Sequence, residues 1–512
     1  MIQILQKLNL TTFDAFILCL ISFVSYIIHL LIKHPDCAIG ARHRKDLVGP
    51  KGIPLLGNLI SLIKRKTIVQ YEHELANKYG SNFSFTVLGQ GRLIVSNDPR
   101  TVEHILKTNF DDYPKGEIFY EIANDIFGDG IFSVNGHMWK FQRRIISHLF
   151  QGKNFRNLIY TSVIRKSEVV INILKKYADI GKPINLKDLF FRFTMDTFGD
   201  ISFGVDFGCL THPDEMAQFV TYFDFTQNRI FERFEEPFWK FTEKFSEKGQ
   251  QMRKACKYID DYIYNMINKY KSQLEVDRES VKSLLALLIE AVDDNGKKLN
   301  DKELRDVALN LILAGRDTTA LSLSWMMYLI MTNHSVENSL LQEINTILSV
   351  EMPIPSYDDL KLFQYTTATF YETLRLYPIV PINGRVCVKD NVLPNKIPIF
   401  AGECVKFNLY SMGRNEKIWG KDAKQFNPKR FLELEDGLRP NQFKFPAFHA
   451  GPRTCLGQQF ATIEVVALAV LLLKEFKFEL VPGQKSPPEF KDALTLLMKD
   501  PLMAKVSYRT KN

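Results

Sequence analysis

Residues 448–457 read Phe448-His449-Ala450-Gly451-Pro452-Arg453-Thr454-Cys455-Leu456-Gly457, and the chain continues as Gln458-Gln459-Phe460-Ala461-Thr462-Ile463-Glu464. A lone cysteine ordinarily behaves as a small buried hydrophobe. Around Cys455 the surroundings are unusual. Gly451-Pro452 implies a tight turn that leaves backbone N–H groups near the sulfur, and Arg453 stands two positions away. The apolar-periodic run from Gln458 predicts a helix whose N-terminus faces Cys455. Each of these features stabilises a thiolate.

An anionic sulfur in a glycine-lined loop at a helix start suits axial ligation of haem iron, to which it pushes electron density. Gly457 would let that helix lie close to a flat macrocycle. Further segments carry chemistry upstream. Leu304, Val307, Ala308, Leu311, Gly315 and Thr318 recur at helical spacing after a cap-like Asn300 and Glu303. Thr318 on that apolar stripe can simply bond back to a carbonyl one turn earlier. Glu372 and Arg375 share one face of a helix that Pro378 stops, and taken alone they read as an ordinary surface ion pair. Phe83–Leu88 and Arg92–Ser96 flank Gly89-Gln90-Gly91 as a hairpin, and strand-like pieces return at 385–388 and 402–407. Residues 160–295 read as helical and charge-rich, with no decodable motif.

The pattern Phe448-x-x-Gly451-x-Arg453-x-Cys455-x-Gly457 resembles the haem-binding signature of the cytochrome P-450 family at its five fixed positions. Ala314-Gly315-Arg316-Asp317-Thr318-Thr319, Glu372-x-x-Arg375, Asn427-Pro428-Lys429-Arg430-Phe431 and Trp139-x-x-x-Arg143 are similar to further family motifs, so the resemblance covers essentially the whole chain. It implies the family's fold, mainly α with a minor β part, and haem b (iron protoporphyrin IX) as cofactor. It makes Cys455 the axial ligand of the iron, with Gly451 and Gly457 lining the cofactor. Trp139, Arg143, Arg385 and Arg453 are assigned to the two propionates, for which indole and guanidinium donors are suited. Arg430 joins Glu372 and Arg375 in a buried network that braces the thiolate loop; Lys429 replaces the family's frequent Glu before it. By the same resemblance the helix is locally widened near Gly315, and Asp317 with Thr318 relays protons to the oxygen site. His449 reads as a polar residue at the haem edge, and Cys387 and Cys404 as structural.

The 512 residues are 46% hydrophobic with a net charge of +8, which excludes a disordered or fibrous chain, and no long basic block points to nucleic acid. Seven scattered Cys make no disulfide framework. Residues 15–32 carry no charge and just reach spanning length, with Lys33, Arg42, Arg44 and Lys45 downstream against Lys7 upstream. The expected organisation is an N-terminal transmembrane anchor over 1–34, a basic, proline-rich hinge over 35–55 and a catalytic domain over 56–512. The body is placed on the cytosolic side of the endoplasmic reticulum membrane.

Two classes of function fit a haem thiolate. One is a monooxygenase that takes electrons from NADPH–cytochrome P-450 reductase, with cytochrome b5 as an optional second donor, and inserts one oxygen atom of O2 into a C–H bond of a lipophilic substrate. The other is a peroxide isomerase or dehydratase, which has no need of the Asp317–Thr318 pair; a gas sensor would need an output domain that nothing resembles. Gly128-Asp129-Gly130-Ile131-Phe132, residues 139–144 and 448–453, and Thr495-Leu496 look like the branch containing long-chain fatty-acid ω-hydroxylases. Family layout lines the substrate pocket with Phe119, Phe127, Leu311, Ala314, Val380 and Leu496. That apolar set also fits sterols, terpenes and xenobiotics. Lys140, Arg144 and Lys444 are expected on a basic face for an acidic reductase.

Overall fold

The computed structural model describes residues 12–151, 153–276, 283–292, 296–349, 353–434, 437–438 and 440–509, so the first 11 residues of the expected anchor and the last three of the expected catalytic domain lie outside it. Helix α1 (Thr12–Lys33) turns its apolar side chains outward, and the window Phe16–Lys33 has a mean hydropathy of 2.2 with none of it buried. By length and composition it is able to cross a bilayer. The stretch that follows is stitched to the body. Gly52 N donates to Asp36 O, Ile39 N to Leu55 O, and Ala38 N to Thr86 Oγ1.

Helices dominate. Those used below are α2 (Glu117–Phe127), α3 (Gly136–Gln151), α4 (Leu186–Phe203), α5 (Pro213–Arg233), α6 (Asp301–Thr332), α7 (Gln364–Leu376) and α8 (Gln458–Glu475). The region 160–295, read only as helical, supplies α4 and α5 among others. The β part is small. Strands β1 (Asn82–Val87) and β2 (Gly91–Ser96) form the expected hairpin, pairing Val87 with Gly91 across a turn in which Gly89 and Gly91 have positive φ. Strands β3 (Ile382–Val386) and β4 (Cys404–Asn408) complete a four-stranded sheet in the order β1-β2-β4-β3, with only β2 and β4 parallel.

Helix α6 runs through the centre of the core. Its start is a reciprocal capping box: Asn300 Oδ1 accepts from Glu303 N at 3.0 Å, and Glu303 Oε2 accepts from Asn300 N at 2.8 Å. The helix is then regular α throughout, so the widening expected near Gly315 is absent. Gly315 has another reason. A Cβ there would lie 2.0 Å from Phe198 Cδ2, so the glycine lets α4 pack directly on α6. Helix α7 ends at Leu376, one residue short of the reading, and Tyr377 behind it stacks on Trp325 of α6 at 4.1 Å between ring centroids.

Candidate active site

The Cys455 loop is held by its own backbone. Cys455 N donates to Phe448 O at 2.8 Å and Thr454 N to Gly451 O at 3.0 Å, closing a tight turn ahead of α8. Gly451 is required twice over: its φ is +64°, and a Cβ there would lie 2.1 Å from Leu106 O. Gly457 meets nothing but Cys455 Sγ, at 3.9 Å from a built Cβ, so a side chain there would fill the space beside the sulfur.

Burial pushes the Cys455 thiol up from its ordinary pKa, while the N–H groups of Gly457 and Gln458 and the Arg143 guanidinium pull it back. The cation near the sulfur is therefore Arg143, not the expected Arg453. Arg453 is drawn away by other acceptors: its Nη2 donates to Val134 O at 2.8 Å and to Asn135 Oδ1 at 2.9 Å, and its guanidinium lies 4.5 Å over the Trp139 ring. A metal must then displace the thiol proton to be ligated here.

Arg143, Arg385 and Arg453 converge, and a residue that the sequence reading missed joins them. Arg385 and Arg453 both repel the Lys115 ammonium, and Arg385 and Arg143 both repel Arg453. Burial first, and this repulsion where it acts, depress Lys115 well below its ordinary range and Arg453 to about 9; burial alone carries Arg385 to about 10. Arg385 Nε is buried without a hydrogen-bond partner. Arg385 Nη2 donates to His449 Nε2 at 2.9 Å, and on the other side of the ring Ala450 N donates to His449 Nδ1 at 2.8 Å. No carboxylate is among the charges acting on Lys115, Arg143, Arg385 or Arg453. Buried cations without counter-charges are costly, and a dianionic ligand edge beside a free sulfur is the group that fits them. The residues present fit a haem.

On α6, Thr318 and Ala314 are half-buried while their helical neighbours are closed in the core. Thr318 Oγ1 donates to Ala314 O at 2.6 Å, the back-bond that its place on an apolar stripe allows. Its lone pairs stay free to accept. Asp317 Oδ1 accepts from Arg316 Nη1 at 2.9 Å, and that guanidinium also reaches Asp224 of α5 at 2.6 Å. Burial lifts the Asp317 carboxyl to about 6 against the pull of Arg316, with Asp224 adding to the rise.

Glu372 and Arg375 are 0% exposed and joined by two hydrogen bonds, Nε to Oε2 at 2.6 Å and Nη2 to Oε1 at 2.7 Å. They are no surface pair. Arg430 Nε lies 3.6 Å from Glu372 Oε1, and Arg430 Nη2 pairs with Asp422 at 2.6 Å. Arg375 also binds the carbonyls of Gly413, Ala423 and Gln425, so this network ties α7 to residues 413–430.

The expected substrate residues separate. Phe119 and Ala314 are half-buried, Val380 is 39% exposed, and Leu311 is nearly closed. Leu496 is 1% exposed and Phe127 packs edge-on to Phe132 in the core, so neither side chain lines an open space. Leu496 is fixed through its backbone, where its O accepts from Trp325 Nε1 at 2.9 Å; Leu494 and Leu497 are the half-buried neighbours. A cavity of about 630 Å³ borders Tyr371, Phe448, His449, Cys455 and Gln459 and includes none of the six. Glu464 on α8 was also missed. It is 0% exposed, and burial pushes its carboxyl well above the usual carboxylate range, with the Thr197 and Thr319 hydroxyls acting the other way.

Residues 47–506 match the family model described as Cytochrome P450. The chain belongs to the cytochrome P450 family. It is 37% identical over 502 residues to "Cytochrome P450 monooxygenase cyp1" of Mycosarcoma maydis, covering 94% of this chain and 78% of that one. It is also 34% identical over 479 residues to "Cytochrome P450 704C1" of Pinus taeda, covering 88% and 91%. A third relative, "Cytochrome P450 86B1" of Arabidopsis thaliana, is 33% identical over 495 residues, covering 92% and 88%. As a cytochrome P450 the chain is an oxidoreductase that works with haem iron, O2, an electron-donating partner and a lipophilic substrate.

Proposed function

We propose that this cytochrome P450 hydroxylates long-chain fatty acids at or near the methyl end, using haem b held by Cys455. The observation that carries the cofactor assignment is a set of cations around the Cys455 loop, Arg385 buried and Lys115, Arg143 and Arg453 half-buried, with no carboxylate among the charges acting on them. In this reading Cys455 Sγ ligates the iron, and Lys115, Arg143, Arg385, Arg453 and Trp139 hold the propionate edge. Haem, when bound, supplies O2 activation with electrons from NADPH–cytochrome P-450 reductase, and cytochrome b5 can act as a second donor. Anchoring by α1, with the hinge at 35–55 and the body on the cytosolic face of the endoplasmic reticulum, brings the site to its lipid substrates.

The protein's own proton chemistry runs along α6. Asp317, with a pKa near 6, gives up and regains a proton close to neutral pH from its place between Arg316 and Asp224. Thr318 Oγ1 gives its proton to Ala314 O, so it would act as an acceptor that orients a water and not as a nucleophile. This pair favours monooxygenation over peroxide isomerisation, which moves no proton from solvent. Thr318→Ala should keep haem but lower product formed per NADPH by about tenfold, less than the roughly 10²–10⁴ of a whole proton-transfer group because water can take the hydroxyl's place. Peroxide released per NADPH should rise to match; unchanged coupling would count against the relay.

The substrate reading rests on the resemblance around 128–144 and 448–453 and on the apolar surround of Phe119, Leu311, Ala314 and Val380. A methyl C–H bond is stronger than the internal ones, so terminal attack needs a narrow channel that presents the chain end. A panel of fatty acids, sterols and terpenes, incubated with the reconstituted enzyme, tests this by product mass and position. Fatty acids should give terminal alcohols, and Phe119→Ala and Val380→Ala should move hydroxylation inward. Turnover of sterols with no fatty acid oxidised would overturn the substrate class.

A further inference from the structure

Immediately after α1, four residues with metal-binding side chains fold together: His34, Asp36, Cys37 and His43. One ligand atom from each of Asp36, Cys37 and His43 falls within 4.8 Å of the others, and His34 Nδ1 is 3.6 Å from Cys37 Sγ. That separation is what tetrahedral zinc requires, since bonds of about 2.3 Å to sulfur and about 2.0 Å to nitrogen hold the two ligands about 3.6 Å apart. His34 is buried and Cys37 is 1% exposed, whereas His43 stays accessible and gives an ion a route in. A lone thiol beside a histidine is common. A buried thiol with two imidazoles and a carboxylate gathered by a ten-residue segment is not.

We propose that these residues form a structural zinc site that clamps the end of α1 to the sheet. Cys37 Sγ, His43 and Asp36 ligate Zn2+, and His34 completes the tetrahedron by a small rotation. On binding, the Cys37 proton leaves to solvent, and thiolate and carboxylate together balance the two charges of the ion. A mixed sulfur, nitrogen and oxygen set is that of zinc, a borderline-soft ion, rather than of magnesium or calcium. Arg92 approaches Cys37 and Asp36 and opposes a cation, but its guanidinium is already turned to Arg42 O at 2.7 Å and Ser84 Oγ at 2.9 Å. His43 Nδ1 and Asp36 Oδ1, 2.8 Å apart, must open by a few tenths of an ångström for both to ligate.

The site would matter mechanically. Asp36 O accepts from Gly52 N, and Ala38 N donates to Thr86 Oγ1 in β1, so an ion on Asp36 and Cys37 is coupled directly to the catalytic body. His34 closes the last turn of α1 through its N–H to Leu30 O. The ion would fix the angle at which the membrane helix leaves the enzyme.

The test uses the full haem-loaded chain, purified in detergent through a tag without histidine, exposed to zinc and passed over a desalting column. Elemental analysis should find about one zinc per chain beside the haem iron, as for a structural site. Cys37→Ser and His43→Ala should each lose it while the haem spectrum is kept, and His34→Gln should weaken it. Should a variant fail to fold, wild-type protein stripped with a chelator should become cleavable by protease within 34–58 and regain protection with zinc alone. Zinc below about a tenth per chain, zinc retained in Cys37→Ser, or cleavage indifferent to the chelator would each overturn the site.

Discussion

Replacing Cys455 by Ala should abolish the red-shifted Soret band of the reduced carbon monoxide complex and reduce product formation to background. No other cysteine can substitute. Cys404 lies in β4 and Cys387 just beyond β3, with its Sγ donating to Lys389 O at 2.7 Å, and Cys209 is closed in the core. Only Cys455 has glycines on both sides, the N–H groups of Gly457 and Gln458 aimed at it, and a cation beside it. Some haem should still bind through the cation cluster, because Arg385, Arg453 and Lys115 do not depend on the sulfur. A variant that retains the red-shifted band would remove Cys455 from the site.

Removing Arg375 should be nearly as damaging, for a different reason. Its loss breaks a fully buried pair and leaves Glu372 only the more distant Arg430, Nε at 3.6 Å, and removing one partner of a buried pair costs about 3–5 kcal/mol. It also strands the carbonyls of Gly413, Ala423 and Gln425. Arg375→Ala is therefore expected to yield chain without haem. Arg375→Lys should fare little better, since one ammonium cannot make the forked contact with both Glu372 oxygens and also reach three carbonyls. Haem content per chain and thermal midpoint measure this. A lysine variant with normal values for both would show that the network does not brace the loop.

Much of the site could be read from the sequence because its residues are chemically irreplaceable where they stand. Gly451 has a positive φ and no room for a Cβ, Asn300 and Glu303 form a cap from adjacent positions, and Glu372 and Arg375 meet one turn apart. What escaped was set by contacts between distant segments. Lys115 lies in a loop with no periodic signal and joins Arg385 and Arg453 only after folding. Glu464 is a single charge in an apolar helix run, and nothing local says that it faces Thr197 and Thr319. Whether Arg143 or Arg453 attends the sulfur depends on where Val134 and Asn135 lie. Leu496 shows the same limit in reverse: an apolar residue near a pocket motif can be closed in the core while Leu494 and Leu497 beside it stay half-buried. The widening near Gly315 was expected from resemblance alone, whereas here the glycine serves the packing of Phe198.

Monooxygenation of a fatty acid is the activity proposed for Cys455 and the α6 pair. It is tested most directly by supplying isotopically heavy dioxygen to the purified enzyme with its reductase, NADPH and a long-chain fatty acid, and reading the product by mass. One heavy oxygen atom in a terminal alcohol, with formation abolished when NADPH is withheld, is the predicted result. An oxygenated product formed without reductase, or one whose new oxygen comes from water or from a peroxide substrate, would contradict it.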